Sequence, residues 1–128
     1  MNLNFSISEL CKTSHKVNNV PTLKEIDNLL NLIFYCLQPL RDKLQKPILI
    51  TSGYRSEALN KIVGGKYNSQ HLKGQACDFK VSGMTINQII DFIRKNNIEF
   101  DQLINEYDKW VHISFVKGSN RKQVLKIS

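Results

Sequence analysis

Apolar residues recur along this chain with two periods, and the change between them marks out its elements. Leu23, Ile26, Leu29, Leu30, Ile33, Phe34 and Leu37 recur at spacings of three and four, which puts them on one face of an α-helix. Thr22 and Glu25 have the spacing of a capping box, so this main core helix starts there. Pro39 lacks an amide donor and crowds the turn before it, which predicts a bend or break ahead of Leu40 and Leu44. A second helix follows the Thr85-Ile86-Asn87-Gln88 capping pattern, with Ile86, Ile89, Ile90 and Ile93 as its apolar face and Asn96-Asn97 as its end. Residues 5–20 carry only short apolar pieces and predict a short helix with an irregular stretch.

Elsewhere the period is two. Residues 47–51 read as a buried strand, Ser52-Gly53-Tyr54-Arg55-Ser56 as its turn onto a helical segment around residues 59–63, and residues 64–69 as a loop. Residues 76–81 alternate so that Cys77, Phe79 and Val81 share one face and Ala76, Asp78 and Lys80 the other. Further strands are predicted over residues 100–105, 109–116 and 123–127, with a turn at Tyr107-Asp108. In the middle one Val111, Ile113 and Phe115 share a face, and Trp110, His112 and Ser114 the opposite one. Helices first and strands later predict an α+β fold, a central antiparallel sheet with helices packed on one side. No repeat or linker interrupts it, so residues 1–128 read as one domain, expected to act as a monomer.

Composition narrows the class. The three cysteines, Cys11, Cys36 and Cys77, are odd in number and form no CxxC pair, which suggests neither a disulfide framework nor a thiolate zinc site. Residues 1–10 lack the basic start and apolar run of a secretory signal, and no segment has membrane-spanning length. The expectation is synthesis in the cytoplasm, no membrane insertion, and delivery by another factor to any target outside. A net charge of +7 implies attraction to a polyanion. The lysines and arginines are scattered, with no nucleic-acid-binding motif, which argues against a dedicated nucleic-acid partner.

The chemistry concentrates in residues 69–78. His71 and Asp78 lie seven residues apart across Gly74, and Trp110-Val111-His112 answers them later. Two imidazoles and one carboxylate make a three-ligand zinc set with a fourth position open, and such open sites are catalytic more often than structural. The ordinary alternatives are an exposed loop histidine, a surface ion pair and a hydrogen-bonded sheet histidine.

Ser52-Gly53-Tyr54-Arg55-Ser56, Val63-Gly64-Gly65, Ser69-Gln70-His71 through Asp78, and Trp110-Val111-His112-Ile113-Ser114-Phe115 occur together and in this order. The ensemble resembles the zinc D-alanyl-D-alanine carboxypeptidase family, small phage and bacterial peptidoglycan peptidases related in fold to the hedgehog signalling domain. Gln38-Pro39-Leu40-Arg41, Phe100-Asp101-Gln102-Leu103-Ile104 and Phe5-Ser6-Ile7-Ser8-Glu9-Leu10 extend the likeness over most of the chain. The resemblance implies one zinc ion held by His71, Asp78 and His112. It implies that Arg55 binds a substrate carboxylate or polarises the scissile carbonyl, and that Ser69 contacts substrate, although loop capping explains Ser69 equally.

For the general base, many members of the family carry an acid three positions before the second zinc histidine, where this chain has Lys109. Glu106 and Asp108 are the nearby acids. Glu106 is preferred, since a hairpin returns it beside His112, and Asp108 falls in the predicted turn. Trp110, on the face of His112, is a candidate wall of the substrate cleft or a packing residue. The implied activity is zinc-dependent hydrolysis of an amide bond in peptidoglycan stem peptides at the cell wall, by a carboxypeptidase or an endopeptidase, as in a phage endolysin. A zinc-containing module that binds peptidoglycan or a protein without cutting it is the alternative.

Overall fold

The computed structural model describes residues 3–128; residues 1 and 2, the start of the segment read above as lacking a secretory signal, lie outside it. The chain runs α1 (Ile7–Leu10), α2 (Leu23–Leu32), a π-helical turn (Ile33–Leu37), α3 (Gln38–Leu44), β1 (Leu49–Ser52) and α4 (Glu57–Ile62). A 3-10 turn (Gln70–Lys73), β2 (Ala76–Lys80), α5 (Ile86–Lys95), β3 (Gln102–Glu106), β4 (Trp110–Ser114) and β5 (Gln123–Ile127) complete it. The fold is α+β. Its five-stranded sheet has the order β1-β2-β4-β3-β5. Pairing is antiparallel from β1 through β3, while β5 joins the edge parallel to β3, with Ile104 opposite Leu125.

The alternation read from the sequence sets the two faces. Cys77, Phe79, Leu103, Val111 and Ile113 point into the core and meet Leu29, Leu32, Ile33, Leu37 and Leu40 of the long helix and Ile86, Ile89 and Ile93 of α5. Phe79, Leu103 and Ile113 are fully buried, so truncating one to alanine costs about 2–5 kcal/mol. The opposite face carries Asp78 and His112.

The long helix departs from its predicted stripe. Leu23, Leu30 and Phe34 are exposed, and the buried line runs through Leu29, Leu32, Ile33, Cys36, Leu37, Leu40 and Leu44. Nor does Pro39 break it, because α2, the π-helical turn and α3 are continuous. The Gln38 amide donates to the Ile33 carbonyl, five residues back. That wider turn directly precedes Pro39 and shifts the carbonyls with which the ring of a proline in a regular helix collides. The left-handed Gln45 closes α3 by donating its amide to Arg41. Thr85 and Gln88 cap α5 reciprocally, at 3.1 and 2.9 Å, as their spacing predicted.

Two close approaches lock the segment that leads into the site. A Cβ at Gly53 would lie 2.1 Å from the Leu10 carbonyl oxygen, so only glycine lets α1 reach the end of β1, where the Tyr54 amide donates to that carbonyl at 2.7 Å. Asn19 then spans the gap, its amide nitrogen donating to the carbonyls of Cys11 and Tyr54 and its oxygen accepting from the Ser56 amide.

Candidate metal centre

Asp78 is the focus of the polar face. It sits mid-strand in β2, directly opposite His112 of β4. His71 reaches it from the 3-10 turn, where the Ser69 hydroxyl accepts from the His71 amide at 3.2 Å. His112 Nδ1 lies 3.0 Å and His71 Nε2 3.3 Å from the same oxygen, Asp78 Oδ1. One donor atom from each residue falls within 4.8 Å of the others, and all three residues are buried.

The tautomer of His71 is fixed from outside. Its Nδ1–H donates to the Gly53 carbonyl at 2.7 Å, so a neutral ring presents a lone pair at Nε2. That Nε2 is buried and has no hydrogen-bond partner. Burial pushes the Asp78 carboxyl up, but hydrogen bonds donated by His112, and by His71 when its ring carries both protons, outweigh it and hold it below the usual carboxylate range. A lone pair and an ionised carboxylate oxygen at 3.3 Å, out of water, repel each other unless a cation lies between them. The donor set thus fits zinc, which takes imidazole nitrogen and carboxylate oxygen together.

Other side chains ring this cluster. Arg55 Nη2 stands 3.5 Å from Asp78 Oδ2, while its Nε donates to Ser52 Oγ at 3.1 Å and its Nη1 to Asn60 Oδ1 at 3.3 Å. Asn60 is buried and donates to the Lys66 carbonyl at 2.9 Å. A Cβ at Gly65 would fall 2.0 Å from Asn60 Oδ1 and 2.9 Å from Arg55 Nη1, so the glycine leaves the space these groups occupy. Ser52 and Gly53 entered the reading of the sequence only as members of a motif, and Asn60 escaped it. Asn60 did leave a trace there, as a polar residue between the apolar Leu59 and Val63 just before Gly64-Gly65.

The two candidate bases are separated by the hairpin. Tyr107 and Asp108 both have left-handed backbone, with φ of 60° and 55°, and the Lys109 amide donates to the Glu106 carbonyl, as in a type I′ turn. Glu106 Oε1 thereby lies 3.4 Å from His112 Nδ1. Asp108 turns the other way, accepting from Asn105 Nδ2 at 2.8 Å and lying 3.9 Å from Lys126 Nζ. Burial and the nearby Asp78 carboxylate push the Glu106 carboxyl up, against the pull of His112, His71 and Arg55.

Of the remaining candidates, Ser69 spends its hydroxyl on capping the 3-10 turn. Trp110 is half-buried opposite Glu106, its ring edge-on to Tyr107 at 5.8 Å and its shielded Nε1 without a partner. Asn120 and Arg121 are structural: Asn120 Oδ1 accepts from the Val116 amide at 2.8 Å. Buried Asp101 accepts from Arg121 Nη2 at 2.7 Å, from Arg121 Nε at 3.0 Å and from Gln70 Nε2 at 3.0 Å, tying the start of β5 to the turn that carries His71. His15 is exposed and remote from this network in the chain.

An α+β sheet with a buried His-Asp-His donor set beside one face offers the ligands of a metal site. Residues 3–114, from just before α1 to the end of β4, match the family model of Peptidase M15, and the chain belongs to that family of zinc-dependent peptidases. No curated protein matches the chain. No helix among the described residues is long and apolar enough to cross a membrane.

Proposed function

We propose that the chain is a zinc peptidase that hydrolyses an amide bond in peptidoglycan stem peptides, as a D-Ala-D-Ala carboxypeptidase or an L-Ala-D-Glu type endopeptidase. The observation that carries this reading is the convergence of His71 Nε2 and His112 Nδ1 on Asp78 Oδ1, with Glu106 beside His112 and Arg55 beside Asp78. His71, Asp78 and His112 hold the ion. Zinc, when bound, supplies Lewis acidity and lowers the pKa of water to about 7.

Glu106 accepts a proton from the attacking water and passes it to the departing amine, a role for which its place beside His112 suits it. Arg55 neutralises the negative charge that develops on the scissile carbonyl oxygen, or receives a substrate carboxylate in its guanidinium fork. Ser52 and Asn60 hold the guanidinium in place, so little ordering is left to be done when substrate arrives. Trp110 walls the cleft and Ser69, besides capping its turn, lies at the substrate side. The basic surface favours approach to an anionic cell wall, reached after release or export by another factor, and the working unit is a monomer.

The test is digestion of purified peptidoglycan with zinc-loaded protein, with and without chelator, and identification of the new termini by mass spectrometry. New termini that vanish with chelator support the reading and identify the bond. Unchanged muropeptides from zinc-loaded protein overturn it in favour of a binding module. Glu106→Ala should lower kcat about a hundred- to ten-thousandfold. A variant that keeps full activity would remove Glu106 as the base.

A further inference from the structure

The polar face of the sheet continues past the metal donors. Lys80 lies two residues beyond Asp78 on β2 and shares its face. Leu49 stands opposite Lys80 on β1, and the register that pairs Asp78 with His112 brings Trp110 beside Lys80 on the other side. Trp110 in turn pairs with Glu106. A cross-strand row of Leu49, Lys80, Trp110 and Glu106 therefore runs parallel to the donor row, about 6.6 Å along the strands.

This row is open to a ligand, and its one cation, Lys80, is separated from the Glu106 carboxylate by Trp110. Leu49 is 64% exposed and Lys80 is exposed. Arg55, by contrast, is half-buried and committed to Ser52, Asn60 and Asp78. Among the described residues Lys80 makes no ion pair, and it is the next cation along β2 from Asp78.

We propose that this row is a subsite for an acidic residue of the peptide substrate, with Lys80 receiving a carboxylate one to two residues from the bond attacked and Leu49 supporting the adjoining apolar groups. A spacing of about 6.6 Å matches about two residues of extended peptide. The inference rests on the peptidase reading and deepens it, making the charge of the substrate beside the cleavage point a determinant of recognition.

The test uses two synthetic stem peptides, one with a free side carboxylate at that position and one with the same group amidated. Binding is measured by calorimetric titration of the zinc-loaded full chain, so the readout does not depend on turnover. The expected result is about three- to tenfold tighter binding of the carboxylate peptide, as suits one solvent-accessible charge pair. In Lys80→Ala the preference disappears, in Lys80→Glu it inverts, and in Lys43→Ala, a change on α3, it persists. Equal binding of both peptides by the unmodified chain, or a preference that survives Lys80→Ala, overturns the proposal. If neither peptide is cut, the hydrolase reading fails while the binding ratio still decides this one.

Discussion

Arg55 illustrates how a site residue is made by neighbours that carry no chemistry of their own. A free arginine side chain samples many rotamers, and fixing one costs about 2 kcal/mol of entropy. Ser52 and Asn60 meet that cost before substrate arrives, and Gly65 leaves room for both. Asn60→Ala should lower kcat/KM about three- to tenfold, the worth of one modest hydrogen bond. Gly65→Ala, whose new methyl would displace Asn60 Oδ1, should do the same. Zinc content measured by atomic absorption should stay at the wild-type value in both, since neither residue touches a metal donor. Loss of zinc in Asn60→Ala would show instead that it supports the metal loop. Asn60 was hard to see in the sequence because its partners, Arg55 and Lys66, bracket it through the fold of a loop and not through any periodicity. His71, Asp78 and His112 were legible because their motifs are local and alternation fixes the direction of two of them.

At the scale of elements, periodicity told which face of β2 and of β4 is buried, while β1, read as a buried strand, alternates exposed and half-buried residues, and which strands are neighbours was left open. That is why the helices and strands emerged from the sequence while the parallel pairing of β5 with β3 did not. What fixes that pairing is a buried carboxylate. The Asp101 carbonyl accepts from the Gln123 amide, and its side chain accepts from the amide and guanidinium of Arg121. Those Arg121 bonds, ahead of any opposing effect of burial, hold the Asp101 carboxyl below the usual carboxylate range. A depressed folded pKa means the contribution to stability is complete above the unfolded value of about 3.9 and is lost as pH falls through the folded one. Asp101→Asn should therefore destabilise the chain by about 1.5–3 kcal/mol at pH 7. Urea unfolding at pH 7 and near pH 3 should show the difference between variant and wild type shrinking at the lower pH. An undiminished difference would mean that Asp101 acts through neutral hydrogen bonds alone. Since Gln70 shares the same carboxylate, the variant also loosens the turn that carries His71.

For the molecule as a whole, the metal centre is a point of frustration until a cation arrives. Three polar residues are buried on the face of the sheet, and the His71 lone pair confronts the Asp78 carboxylate across 3.3 Å. The rest of the core, continuous from α1 through the long helix to α5 and the sheet, already holds the fold together. Zinc should therefore stabilise a chain that is folded without it, unlike a zinc finger, whose folding waits for the metal. A ligand that binds only the native state adds RT ln(1 + [L]/Kd), about 4 kcal/mol at a thousand times Kd. For a chain of 128 residues that corresponds to a rise in Tm of roughly 10–20 °C. Scanning calorimetry with saturating zinc and with excess chelator should show that difference, with native-like far-ultraviolet dichroism in both samples at 25 °C. In His71→Ala the zinc-dependent rise should largely vanish, while the chelator-treated variant melts close to the chelator-treated wild type, because removing the ring also removes the buried repulsion. A chelator-treated wild type that is unfolded at 25 °C would contradict this, and would make the metal a part of the fold instead of a guest in a site the fold has already built.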